Sequence, residues 1–298
     1  MATTLSLTET FDGEKAGELL LNAFLTNDSM QYLTVRPDIA YKEKVRRLLN
    51  TINVGALTCD FTPTGTVTLD ERTITLEGFQ VQEQICKKDF LADWTARQAQ
   101  NGSLDGQLQG AIGDTIVLGV AQKLETTIWQ GVNANPGEFD GFIPLAAADG
   151  TVNSVAAPAA LTSGNIIAKI ELLLAEVPTA VENSTEKPML YMNKKTFHLY
   201  RQANAAAGNG WYTYAGPAVA TSFMGIYDIA ICPGMSDNTM MVAQKSNLWF
   251  GTNKTSDLNS VKIKDMSDVD LSDNVRFSVK YFAGVQYGWG NEIALYTV

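Results

Sequence analysis

The residue types that most often carry chemistry are few and scattered in this sequence. Its one histidine, His198, stands alone, so there is no HExxH pair and no histidine–cysteine zinc cluster. It lies in the run Tyr191–Tyr200, beside Phe197 and Leu199, where it reads as a structural side chain and not as a catalytic base. Asp265, Asp268, Asp270 and Asp273 crowd one short stretch and are the best candidates for gathering oxygen ligands. The glycine and closing glutamate of a calcium loop are missing, so the stretch reads as a solvated acidic loop and no metal is assigned. Gly208, Gly210 and Gly216 lack dinucleotide-binding spacing, and neither a P-loop nor a GxSxG or SxxK nucleophile motif is present. Carboxylate pairs of the glycosidase kind are defined by their separation in space, which a sequence does not give. The remaining candidates are aromatic. Trp211, Tyr212 and Tyr214 sit on a glycine-containing loop from Ala203 to Gly216, where they can meet a partner or a sugar, or fold back into the local core. No cofactor is assigned, and the chain reads as a non-enzyme.

Composition narrows the classes further. The 298 residues carry 22 Lys plus Arg against 32 Asp plus Glu, a formal charge of −10. That disfavours a dedicated nucleic-acid binder, whose affinity comes from cations displacing counterions. Cys59, Cys86 and Cys232 are odd in number and far apart, as buried thiols of a reducing compartment would be. Residues Met1–Ser6 have no basic or apolar leader character, and no stretch is apolar enough to span a membrane. At 45% apolar residues, a chain of this length buries a sizeable core as one large or two medium domains.

The elements follow from periodicity. A short helix is expected from Asp12 to Thr26 and an extended piece from Met30 to Arg36. Pro37 and Asp38 open a second helical run, with Val45, Leu48, Leu49 and Ile52 at spacings of three and four. Lys42, Lys44, Arg46 and Arg47 surround them as the most basic stretch of the chain, either a contact for a polyanion or an acidic neighbour or simply the solvated side of an amphipathic helix. From 56 to 83 the period becomes two, through Leu57, Cys59, Phe61, Val67, Leu69, Ile74, Leu76, Phe79 and Val81. Turn chemistry at Thr62–Thr66 and Asp70–Arg72 makes this a long β-hairpin. An isolated hairpin is marginal, so it must lie on something, most simply a neighbouring copy. A helical run begins at Ile85, and apolar residues every four from Leu108 to Ile128 predict a helix over 108–129, roughly 30 Å long. Residues 145–158 read as a meander. A capped helix at Ile166–Val177, a strand at Met189–Met192, a helix from Asn193 and a strand at Ile226–Cys232 give an α/β region over about 160–250. Strands at Met240–Ala243, Asn247–Phe250 and Val275–Val279, and a last run over Val285–Tyr296, close the chain.

This order of elements resembles the major capsid proteins of tailed bacteriophages, the Hong Kong 97-type fold. Local likeness lies in the hairpin exit Phe79–Phe90, in Asn247–Thr252 and in Asp273–Tyr287, within a resemblance of layout spanning about 12–298. The resemblance implies an α+β subunit with an N-terminal arm at 1–55 and an extended loop at 56–83. It implies a peripheral domain with its spine helix at 84–159 and 251–298, and an axial α/β domain at 160–250. Phe61, Arg72 and Phe79 would be contacts of the extended loop with a neighbour. Trp211, Tyr212 and Tyr214 would meet their counterparts around the axis of a hexamer or pentamer.

The implied role is that of a virion component, assembled in the host cytoplasm into an icosahedral shell around double-stranded DNA held by non-specific proximity. Its partners would be other copies of itself, a portal protein and decoration proteins. Because only about a dozen residues precede the first helix, the scaffolding function would come from a separate scaffolding protein. Some relatives join subunits by a Lys–Asn isopeptide bond, and no matching pair is identified here. Two other readings stay open: an encapsulin-like compartment shell, and a carbohydrate-binding or glycoside-cleaving protein using the aromatic loop.

Overall fold

The computed structural model describes residues 11–12, 20, 22–25, 27–51, 53–54, 65–86, 106–206, 222–223, 226–254 and 260–298. In chain order the strands are β1 Phe11–Asp12, β2 Thr34–Arg36, β3 Lys42–Thr51, β4 Thr66–Thr75, β5 Glu77–Cys86, β6 Asn153–Ser154 and β7 Met189–Met192. They continue as β8 Ser222–Phe223, β9 Tyr227–Ile231, β10 Met240–Ala243, β11 Leu248–Thr252, β12 Ser260–Asp265, β13 Asn274–Tyr287 and β14 Ala294–Tyr296. The helices are α1 Gly106–Gln130, α2 Phe142–Ala148, α3 Ile166–Ala175, α4 Thr179–Glu182, α5 Lys194–Ala206 and α6 Ser267–Asp270.

Two six-stranded sheets and one two-stranded ribbon organise these elements. The first sheet is built around β13, whose alternating Val275, Phe277, Val279 and Tyr281 are buried, as a strand with one face on the core requires. β5 pairs along one side of it, from Asn274↔Cys86 to Ala283↔Glu77, and β12 and β11 pair with it in turn. The second sheet runs β6-β14-β10-β7-β9-β8. Its parallel pair β7–β9 is bridged by α5, the crossover expected over 160–250. Ile166, Ile170 and Leu173 of α3 are fully buried at helical spacing against this sheet's own core.

The long helix α1 packs Ile116, Val117, Val120, Leu124 and Ile128 into a core that also holds Tyr281 and Val285 of the first sheet and Tyr191, Met241 and Leu295 of the second. One hydrophobic cluster therefore spans both sheets. No helix among the described residues is long and apolar enough to cross a membrane.

Several expectations are corrected. Residues 42–51 form no helix; they are β3, paired with β4 over ten residues from Lys42↔Thr75 to Thr51↔Thr66. Cross-strand pairing outweighs the weak helical spacing of Val45, Leu48 and Leu49. The hairpin is thus built from 42–51 and 66–75, Asp70–Arg72 lies inside a strand and makes no turn, and Glu77–Val81 belongs to the first sheet. Ile85 and Cys86 end a strand and start no helix, while residues 87–97 lie outside the described set. Leu145–Ala148 is helical, in α2. Val285–Tyr287 is the end of the 14-residue strand β13, and Gly288–Ile293 separates it from β14.

Candidate functional site

The ribbon β3–β4 has a foot on the body of the subunit and a bare end. At the foot, Ile74 and Leu76 are fully buried with Ile39 and Trp249, each worth about 1.5–3 kcal/mol relative to exposure. They reach the sheet because two glycines face each other across β11 and β13, Gly251↔Gly284. A Cβ on Gly251 would stand 2.7 Å from Ile74 Cδ1 and 2.8 Å from Ile39 Cδ1, and one on Gly284 would strike the carbonyl oxygen of Thr75. The strand passes over this spot only because no side chain is there.

Three arginines repeat one arrangement around that seat, each laid on an aromatic ring and tied to a carboxylate. Arg36 lies 5.1 Å above Trp249 and pairs with Glu43 at 2.7 Å. Arg47 lies 4.5 Å above Trp289 and pairs with Glu292. Arg72 lies 5.1 Å above Tyr287 and pairs with Asp149 at 2.5 Å. A planar guanidinium suits this double role and a lysine does not. Burial alone would raise the Asp149 carboxyl. The Thr151 amide and hydroxyl, Arg72 and Tyr287 all donate to it, outweigh that effect and hold it well below the usual carboxylate range. Burial pushes the Tyr287 hydroxyl up, and Asp149 adds to the shift. Arg47 and Arg72 come from the two strands of the ribbon, while Asp149, Tyr287, Trp289 and Glu292 lie where the chain passes between the sheets.

The basic stretch is therefore answered within the chain. Lys44 and Arg46, on the ribbon's outer face, both pair with Glu71, at 2.7 and 3.3 Å. These pairs are open to water and contribute little to stability. Beyond them, Thr66–Glu71 is exposed throughout, with Val67 at 65% and Leu69 at 58% exposure on one face of β4.

The sequence-derived contact residues fall into two groups. Arg72 belongs to the foot, and Phe79, half-buried in β5, packs its ring 5.9 Å from Phe139 and 5.5 Å from Tyr281. Phe61, Trp211, Tyr212 and Tyr214 lie outside the described residues. His198 is exposed on α5, where Nε2 faces Gln202 Nε2 at 3.1 Å. In the acidic stretch, Asp265 accepts hydrogen bonds from Ser267 and Asp270 from Ser272. Among the described residues no group of three or more His, Cys, Asp or Glu could hold a metal. Sequence reasoning singled out Arg47 but missed its partner Glu292, 245 positions away, together with Asp149 and Tyr287. The isolated glycines at 251 and 284, inside apolar strand runs, were the available signal.

A long helix under a sheet built on one long strand, a second sheet with a parallel crossover, and a projecting two-stranded ribbon define the class: this is the fold of phage-type capsid subunits, the Hong Kong 97-type fold. Particular shells share it. A chain of the satellite phage P4 procapsid, which includes the size determination (Sid) protein, aligns with a TM-score of 0.58 and 11% identity, covering 93% of this chain and 97% of that one. The capsid of the native GTA particle aligns at 0.59 and 16% identity over 90% and 88%. A chain from Gordonia phage Cozz aligns at 0.61 and 11% identity over 90% and 84%. No protein-family model and no curated protein sequence matches the chain. At these identities the likeness is one of fold.

Proposed function

We propose that this chain is the major capsid protein of a tailed phage. It assembles through hexamers and pentamers into an icosahedral head around double-stranded DNA and plays a structural, non-catalytic part in the virion. The observation that carries this reading is the extent of the fold likeness, nine-tenths of the chain against capsid subunits. The first sheet with α1 would be the peripheral part and the second sheet the axial part. The ribbon would be the extended loop, its foot fixed on its own subunit and its bare end, with Val67, Leu69 and Phe61, reaching a neighbour. Trp211, Tyr212 and Tyr214 would face the symmetry axis. A separate scaffolding protein, a portal protein and decoration proteins are the partners this role calls for.

Electron microscopy and sedimentation of the protein, expressed alone and with a scaffolding candidate, test the proposal. Closed particles or rings of five and six are expected. A monomer under both conditions overturns the reading. Particles that enclose a cargo enzyme in place of DNA would assign the shell to an encapsulin-like compartment.

A further inference from the structure

Glu125 is a carboxylate in the wrong place for a surface helix. It sits on the core-facing side of α1 between Leu124 and Ile128 and is only 7% exposed. Its Oε1 accepts hydrogen bonds from the Ser29 hydroxyl and, at 3.3 Å, from the Gly234 amide. Ser29 Oγ in turn accepts a hydrogen bond from Trp129 Nε1 at 2.8 Å. Oε2 is fully buried and has no hydrogen-bond partner among the described residues. The contacts join three separate pieces of chain: the Asn27–Tyr32 turn, α1, and the Cys232–Met235 turn that follows β9. Asn27 Nδ2 donating to Ala121 O at 2.9 Å and Gln130 donating to Gly234 O hold the same junction from either side.

We propose that Glu125 is a proton-linked latch: with its carboxyl protonated it holds the two turns on the long helix, and when ionised it leaves an unpaired charge in the interior and loosens them. Among the described residues, the groups around it offer no compensating cation. The nearer turn contributes Asp28 and Tyr32, and β7 contributes Tyr191, whose hydroxyl donates to Tyr32 O. The far turn contributes Cys232, fully buried, whose thiol burial pushes up. Lys194 is taken by Asp28 at 3.0 Å, and Lys195 by Asp237. Burial, with the Asp28 charge adding to it, raises the Glu125 carboxyl above its ordinary value, and the Ser29 and Gly234 donors offset only part of that. A carboxyl with a raised folded pKa favours the folded state fully below its unfolded pKa, and the advantage is lost as pH rises through the folded one.

The latch belongs to the subunit, so its test is independent of shell formation. Urea unfolding and amide exchange of the unassembled full-length chain between pH 5 and 8 are compared with those of Glu125→Gln, which keeps the shape without the ionisation. Wild type should lose stability with rising pH relative to the variant, about tenfold in the unfolding equilibrium per unit of raised pKa, with protection falling first around Ser29 and Gly234. Parallel pH profiles overturn the latch. Ser29→Ala provides a second test, because removing a donor to Oε1 raises the carboxyl further. The pH-dependent loss should then extend to higher pH, and an unmoved midpoint rejects the proposal even if Glu125→Gln folds poorly.

Discussion

The two ends of the ribbon are made of the same pair of strands and treated in opposite ways. At the foot, Ile74 and Leu76 are buried, and Arg36, Arg47 and Arg72 each have a ring beneath them and a carboxylate beside them. Toward the tip, Thr66–Glu71 is exposed residue by residue, and Val67 and Leu69 have no such cover. Intramolecular contacts account for the packing and the ion pairs of the foot. They leave the tip unexplained, because two strands standing away from a core are marginal alone. The difference separates what places the ribbon on its own subunit from what the ribbon presents to something else.

The foot breaks most severely at its glycines. Gly284→Ala places a Cβ against the Thr75 carbonyl, a backbone group with little freedom to move. The expected cost is about 3 kcal/mol, read as a lowered midpoint in denaturant unfolding, with amide exchange increasing first at Ile74 and Leu76. A neutral Gly284→Ala would mean that the foot is not seated as described.

Arg72→Met comes next. It keeps bulk over Tyr287 but leaves Asp149 without its cation, and partial exposure limits the loss to about 1–2 kcal/mol. Its pH dependence sharpens the comparison. The Asp149 carboxyl is held low, so its contribution is present above the unfolded carboxylate pKa and is lost only as pH falls toward the folded one. The stability gap between wild type and Arg72→Met should therefore be constant from pH 5 to 8 and shrink under strong acid. A gap that changes across the neutral range would place another titrating group in the clamp. Glu125 carries the opposite sign, so acid should loosen the foot while tightening the latch.

These contrasts explain which features were legible in the sequence. The apolar series from Leu108 to Ile128 is local and long, and the helix Gly106–Gln130 matches it closely. The strand Met189–Met192 and the crossover to Tyr227–Ile231 are likewise bounded by their own turn chemistry. The ribbon departs from the expectation because the Thr66–Glu71 part of β4 has no buried face. In β3 the apolar residues Val45, Leu48 and Leu49 fall at spacings of three and four, which mimics a helix. The arginine clamp was invisible because its partners meet only after the sheets have formed, as with Arg72 and Asp149 across 77 positions. Glu125 was the recoverable omission, since it stands in the row Val117, Ala121, Glu125, Trp129 beside that apolar series, where the other three are apolar and buried.

The smallest effect on stability belongs to the tip, and it bears most directly on the assembly reading. Leu69 is more than half exposed and lies on the opposite face of β4 from Arg72 and Ile74, so Leu69→Ser should change subunit stability by less than about 0.5 kcal/mol. If the bare end is what a neighbouring copy covers, the same substitution should slow or abolish particle formation in the sedimentation assay, most strongly with Val67→Ser added. Arg72→Met should weaken the subunit yet still allow particles, because the ion pairs of the foot are made within one chain. The two variants therefore cross: one harms stability and spares assembly, the other does the reverse. Loss of both properties in both variants would show that foot and tip act as one unit and dissolve the distinction between them.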